Sequence, residues 1–555
     1  MHAGLDRSVA RRSVARSRRS ATTRALSLVL ALATTAGLLV AAGAPGAAAA
    51  QAKGPKQGGS ITYGLEAETG GGWCPATARL AISGIQVAAA IYDTLMVPNT
   101  KGEMVPYLAK SVTPNTDFTQ WTIKLRDGVK FHDGSNVDAG AIKQNFDAYT
   151  KSPLLGTALQ NVDTVSAPDP STVVVTTKTP WPELPWALYL DGRFVIVAPQ
   201  QLNDADHCNS NLIGSGPFML AEPWVANQKL VVERNPNYWQ KDAKGTQLPY
   251  LDKITFLPVA EANQRISGLE GGTLDVVHTS DGLAVDQLQQ EASKFTTMYE
   301  KPGHREVRYL LLNERPGQPL EDINARKAVA MAIDRDQLNQ LRNAGIFTVA
   351  NGPFDSDVIG YMKNPGFPKY NPKQAKKLAD AYKAAHGGQF QVVLEHTNDP
   401  ANVAEADVIK QQLAKVGIDA TLKQDDQTAF IVAAVTGQFS ILLWRQHPGD
   451  DPDATYPWWQ DGSLLNFGKF SDPQIQQLLD QGRASTDQAA RTKIYQQINQ
   501  RFAQQVYNVW LYYSQWIIAA QKDVQGLAGP PLPDGGGKPL FLYGRHPLLG
   551  IYKTD

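Results

Sequence analysis

Two spacings of apolar residues take turns along this chain. Trp121, Ile123 and Leu125 alternate with Thr122, Lys124 and Arg126, the period of a strand with one buried face. Asp127-Gly128 follows as a tight turn, Val129 and Phe131 resume the alternation, and Asp133-Gly134 turns again, so residues 121–134 read as a hairpin. Residues 58–64 read as an opening strand, and the β-branched run 172–177 as another. Within 214–239 two strands are expected, joined across Asn227-Gln228, with a turn at Asn235-Pro236-Asn237. A further strand with its lead-in spans 248–257. Helical spacing governs 82–95, where Ile85, Ala89 and Tyr92 share a face, then 138–149 and 264–269.

From Val307 onward strand and helix patterns alternate. Strands are expected at 309–313, 390–394 and 418–422. Helices are expected at 324–334, from 371 with Pro372 at the first position, and at 404–415, closed by Gly417. Two more helices, 471–485 and 489–505, precede apolar runs at 508–513 and 517–518 that lead back toward the first region. This alternation predicts an α/β fold with a sheet flanked by helices. A chain of 555 residues exceeds one ordinary core, so at least two lobes are expected. The Pro/Gly run 529–537 reads as a late surface loop.

The zero formal net charge hides an asymmetry. Residues 1–50 carry seven arginines and a single acid, Asp6, and the remainder holds 46 basic against 52 acidic residues, a net of −6. A mildly acidic body lacks the basic face that nucleic acid requires, so no nucleic-acid partner is expected. Residues 1–50 read as a signal peptide: an arginine-rich start to Arg24, an apolar segment 25–40, and Gly46 to Ala50 as small residues for cleavage after Ala50. The alternative is a membrane anchor, although the apolar part falls short of the ~20 residues a span requires. Arg11-Arg12 and Arg18-Arg19 leave the twin-arginine and general export routes both open. No cysteine stands near the cleavage point, so no lipid anchor is expected there. The chain has two cysteines, Cys74 and Cys208. In an oxidising compartment two thiols pair more often than they stay free, which favours a disulfide over two buried thiols.

Taken together, the 121–134 pattern, the 58–64 opening, the 214–239 and 248–257 strands and the later βαβ pieces resemble, in number and order, the family 5 extracellular solute-binding proteins of peptide- and nickel-type ABC importers. The resemblance runs from about Gly58 to Gly526. It implies a two-lobed periplasmic-binding-protein type II fold, hinge-joined, with the second lobe inserted in the first. On that reading 1–50 is the signal peptide and 51–305 is lobe I, with an extra subdomain at about 85–210. Lobe II is then 306–512, and 513–555 returns to lobe I. It implies a monomer without cofactor that captures a peptide or peptide-like solute and delivers it to an ABC permease and its ATPase.

Ligands of such folds sit between the lobes, on loops at strand ends. Tyr63, Gly64 and Glu66 leave the opening strand; Gly64 lets backbone approach a ligand, and Glu66 is a candidate acceptor for a cationic group. Ser215-Gly216-Pro217-Phe218 is either a second contact or an ordinary turn. Past the strand 390–394, the resemblance aligns His396 and Asn398 with an Arg and a Tyr that hold a peptide carboxylate in dipeptide-binding relatives. In 442–453, Trp444 offers an apolar wall and Arg445 a bidentate clamp, each against a purely structural role. Relatives use an Asp in this loop for a peptide ammonium, which makes Asp450 and Asp451 candidates, with His447 as the alternative match, while Asp453 is expected to cap the next turn. A metal site is not expected, because Asp450-Asp451-Pro452-Asp453 lacks the regular oxygen spacing of hard-cation loops. H-E-x-x-H, G-x-S-x-G and P-loop motifs are absent. The rival reading is a secreted hydrolase using cleft carboxylates on peptide or phosphoester substrates; a fold retained for scaffolding or signalling is a third.

Overall fold

The computed structural model describes residues 54–67, 72–78, 80–152, 155–226, 228–446 and 451–554. The signal-peptide reading of 1–50 and the candidates His447 and Asp450 lie outside the described residues. Gly54–Asp555 forms one compact unit; among the described residues it holds three large sheets and two two-stranded ones.

The first sheet has seven strands, in the order Thr296–Tyr299, Ile517–Ala520, Val276–Thr279, Ser60–Leu65, Lys253–Pro258, Leu230–Arg234 and Phe218–Leu220. Ser60–Leu65 lies at its centre, parallel to both neighbours. It is buried on both faces, and its residues 61, 63 and 65 are core. The second sheet has six strands: Thr348–Val349, Asn508–Ser514, Glu306–Leu312, Ile441–Gln446, Gln391–Thr397 and Asp419–Asp425. The expected βαβ unit is present here. Gln391–Thr397 runs parallel to Asp419–Asp425, and helix Pro400–Lys415 connects them. The third sheet, four antiparallel strands, belongs to the extra subdomain: Ala109–Pro114, Gln120–Leu125, Thr172–Thr177 and Val162–Asp169.

The chain crosses between the first two sheets twice, from Tyr299 to Glu306 and back from Ser514 to Ile517. Lobe II is therefore inserted in lobe I. The strand Asn508–Ser514 carries Tyr513 and Ser514 into the second sheet, past the expected boundary at 512, because both pair with strand Glu306–Leu312. Glu300 holds the crossings together: its N–H donates to the Trp516 carbonyl at 2.9 Å, and its carboxylate accepts from the N–H groups of Trp516 and Tyr543 at 3.2 and 2.7 Å. The helix Ile82–Ile91, expected to reach Leu95, stops four residues earlier and packs in the core beneath the first sheet; the subdomain core begins at Leu95.

The hairpin expected at 121–134 does not form. Both edges of strand Gln120–Leu125 are taken, by Ala109–Pro114 and by Thr172–Thr177. After the turn at Asp127-Gly128, where Gly128 has φ 74°, the chain folds into a separate small loop with one bridge between Lys130 and Asn136. Val129 and Phe131 still reach the subdomain core. Helix starts follow their caps closely: Asn371, Asp399 and Asp472 each accept a backbone N–H in the first turn, with Pro next in line. Cys74 and Cys208 are joined as a disulfide, Cα atoms 5.4 Å apart.

Candidate functional site

Two central strands end facing one another across the lobes. Ser60–Leu65 in lobe I delivers Glu66, and Ile441–Gln446 in lobe II delivers Arg445. The guanidinium of Arg445 forms an ion pair with Glu66, donates to Ser280 Oγ at 3.2 Å, lies 3.6 Å from Glu306 and sits over the Trp516 ring at 5.4 Å. One side chain thus touches lobe I, lobe II and both crossings.

The electrostatics are balanced but tense. Burial disfavours the Glu66 carboxylate, but Arg445, by charge and by hydrogen bond, and Arg265 outweigh it and hold its pKa below the usual range. Burial likewise opposes the Arg445 charge, and Glu66, Glu306 and Asp399 overcome it and push its pKa up. His278 accepts the Glu66 backbone N–H on Nε2 at 3.1 Å, so that nitrogen carries no proton. Burial lowers its pKa to about 4, in keeping with a neutral ring. Beside Arg445, Arg308 donates to Glu405 at 3.0 and 3.2 Å, and Tyr512 donates to the other oxygen at 2.8 Å. Asp399 caps helix Pro400–Lys415 by accepting from Asn402 N–H at 3.0 Å, which puts the positive end of that helix at the same edge.

Other candidates have different surroundings. Tyr63 is fully buried and its hydroxyl meets His546 Nε2 at 3.1 Å in the lobe I core. Gly64 is explained by packing: a Cβ there stands 2.7 Å from Leu274 Cδ1. His396 is not in a loop, because the strand expected to end at 394 runs to Thr397 and buries the ring, with Nδ1 2.9 Å from the Thr397 carbonyl. Asn398 is exposed, and its backbone N–H donates to the Asp425 carbonyl. Trp444 is core, stacked on Phe430 at 5.3 Å. The capping part expected of Asp453 falls to Asp451, and neither carboxylate is open to a ligand. Asp451 caps the short helical turn Pro452–Thr455 and is buried against Arg491, whereas Asp453 pairs with Arg483. The carboxylate of Asp451 is thus committed within lobe II. The Gly214 to Phe218 stretch is a structural joint, since a Cβ on Gly214 stands 2.0 Å from the Ile91 carbonyl oxygen and Ser215 donates to the buried Asp93.

Sequence reasoning missed Ser280, Glu306, Arg308 and Asp399. Their strand-end and cap positions were legible, but their convergence depends on how the two sheets face each other. Among the described residues there is no group of three or more His, Cys, Asp or Glu arranged to hold a metal, and no helix is long and apolar enough to cross a membrane.

The chain is 28% identical over 440 residues to the probable D,D-dipeptide-binding periplasmic protein DdpA of Escherichia coli K12, covering 77% of this chain and 82% of that protein. It is 25% identical over 467 residues to the nickel-binding periplasmic protein of the same strain, covering 80% and 87%. Among solved structures, the oligopeptide-binding protein AppA of Bacillus subtilis, in complex with a nonapeptide, superposes with a TM-score of 0.78 at 19% identity, over 90% of this chain and all of AppA. AgaA of A. tumefaciens R10, in complex with agropinic acid, gives 0.77 at 24% identity, over 90% and 99%. These likenesses establish the two-lobed fold. The relatives are binding proteins, not enzymes, and the hydrolase alternative finds no support among them. The family model of the bacterial extracellular solute-binding proteins, family 5 middle region, matches residues 103–465, well over half of the chain, and the chain belongs to that family.

Proposed function

We propose that this protein is the exported receptor of an ABC importer and that it holds a peptide or peptide-like solute between its lobes at the Glu66–Arg445 junction. The observation that carries the reading is Arg445 itself, a lobe II cation that bonds Glu66 and Ser280 of lobe I beside both crossings. The neighbourhood mixes carboxylates (Glu66, Glu306, Asp399) with guanidiniums (Arg265, Arg308, Arg445). A guest bearing both an ammonium and a carboxylate finds partners of each sign there without leaving a buried charge unmatched. His447 and Asp450, the candidates next along the chain, belong to the proposed site, as does Asn398. Binding draws the lobes together about the crossings at 299–306 and 514–517, and a permease with its ATPase receives the closed form. Residues 1–50 are the export signal in this reading, and the receptor acts as a monomer.

The test is to purify the protein natively, denature it and identify the released solute by mass spectrometry. One intact peptide-like compound per chain is expected, and re-adding it should raise the melting temperature of wild type but much less that of Arg445→Met. Release of no solute from any preparation, together with no thermal shift across a peptide library, refutes the proposal; recovery of cleaved products only revives the hydrolase.

A further inference from the structure

A second contact between bodies lies away from Arg445, where the extra subdomain meets lobe II. After strand Thr172–Thr177 the chain presents Trp181 and Glu183. Trp181 is buried, and its Nε1 donates to Asp453 Oδ2 at 2.8 Å. Arg483 donates to both oxygens of Asp453, at 2.8 and 3.2 Å, and its guanidinium lies 4.8 Å from the Trp181 ring and 3.5 Å from the Tyr456 ring. Two residues along, Glu183 Oε1 meets Arg491 Nη1 at 2.9 Å. Arg491 already holds Asp451 in a two-pronged pair at 2.8 and 2.7 Å. Gln160 of the subdomain also bonds Gln460 of lobe II.

The charges do not balance. Asp451–Arg491 and Asp453–Arg483 are closed pairs wholly within lobe II, with side chains 2–6% exposed. Glu183 comes from the other body. Seated, it adds a third carboxylate to two guanidiniums, leaving one excess negative charge at a contact where the Glu183 side chain is 23% exposed and its partner Arg491 is buried. Its neighbours there are Asp451, Arg491, Asp453 and, through the same cluster, Arg483, Tyr456 and Tyr495. The subdomain is tied to lobe I at a joint where Asp93 accepts from Ser215, Tyr238 and Trp239 at 3.0–3.1 Å.

We propose that this contact is a proton-coupled latch: closure seats Trp181 on the Asp453–Arg483 pair, and a proton taken from water neutralises the carboxyl that Glu183 brings to Arg491 and Asp451. Supporting this, burial first, then Asp451 and Asp453 against the pull of Arg491, raises the Glu183 pKa to about 8 in the closed form. In an open form Glu183 faces water and titrates near 4. The closed form therefore binds more protons between those values, and closure weakens as pH rises through them. The latch goes beyond solute capture, but it rests on the lobe closure proposed above.

The experiment is small-angle scattering of the purified, solute-stripped protein at pH 6 and pH 9. Wild type should be more compact at pH 6, with the closing equilibrium falling about tenfold or more by pH 9, since one proton gives at most tenfold per unit. Glu183→Gln should stay compact at both pH values. Trp181→Phe, which keeps an aromatic ring and loses the donor, should be less compact than wild type at both while still opening further from pH 6 to pH 9. An equal pH response in wild type and Glu183→Gln, or none in wild type, overturns the latch. Re-adding the released solute separates the two readings: if it compacts wild type while pH does not, the latch fails and the receptor stands; if it does not compact wild type, the receptor reading fails.

Discussion

Reducing the disulfide should weaken lobe I alone. Cys74 and Cys208 are 134 residues apart, and the closed loop takes in the whole extra subdomain. In the chain-entropy picture, a cross-link over a loop of that length restricts the unfolded chain by about 5 kcal/mol at 25 °C. The folded side changes little, because the same junction is also held without the bond. Asn209 Oδ1 accepts the backbone N–H groups of Trp73 and Cys74 at 2.6 and 3.0 Å, Trp73 packs edge-on against Trp224, and the Cys208 carbonyl accepts from Gln201 at 2.8 Å. The reduced protein should therefore fold to the same structure and unfold earlier. With a urea dependence of about 3 kcal/mol per molar, the lobe I midpoint should fall by up to about 1.7 M. The core beside the disulfide, which holds Trp73 and Leu212, is separate from the core that lobe II shares with residues 266–295, so lobe II serves as an internal control. The assay is urea unfolding with and without reductant, with thiol titration to prove reduction, and with Cys74→Ser/Cys208→Ser as the covalent-free reference. An unchanged midpoint in fully reduced protein refutes the reasoning, and so does an equal shift in both lobes.

Other perturbations follow from single contacts. Gly214→Ala drives a Cβ to 2.0 Å from the Ile91 carbonyl oxygen, a backbone atom that cannot swing away, so it should destabilise by about 3 kcal/mol or more in urea unfolding. Arg491→Met leaves Asp451 buried without its partner and should cost lobe II about 3–5 kcal/mol, whereas Lys143→Met, at an exposed helical pair, should cost under about 1 kcal/mol. His278 and His546 are buried neutral, each lowered by burial to about 4. The unfolded chain binds those protons more readily below pH 6.5, so their contribution is full above that value and disappears as pH falls toward 4, on the order of 3 kcal/mol each. A lobe I midpoint that is flat between pH 7 and pH 4.5 contradicts this, and His278→Gln/His546→Gln should show a shallower loss.

What the sequence made legible and what it hid divide along one physical line. Strands and caps depend on neighbours along the chain, whereas the lobe insertion came with the family resemblance: the run 172–177 became a strand with those bounds, and Asn371-Pro372 and Asp472-Pro473 began helices where cap and proline stood. The disulfide was legible from count and compartment. The site was harder, because residue type does not reveal what lies opposite. Tyr63 and Trp444 carry the same chemistry whether they line a cleft or fill a core, and here they fill it. Asp451 and Asp453 were both visible as acids at a strand end. Their partners Arg491 and Arg483 lie 40 and 30 residues further on, and no local pattern pairs them.

The same contrast separates the two interlobe contacts. At the Glu66–Arg445 junction a lobe I acid meets a lobe II base, with Ser280 and Glu306 completing the shell. A solute can exchange for either partner there and leave the charges matched. At Trp181 and Glu183 the lobe II acids are already satisfied by Arg483 and Arg491, so a solute has no opening, and only a proton corrects the imbalance. On the two proposals, selectivity for the guest resides at the first contact and bias toward the closed form at the second. Arg445→Met should change which solutes bind while leaving the pH dependence of closure intact, and Glu183→Gln should do the reverse. A single substitution that altered both together would show that the two contacts are one site.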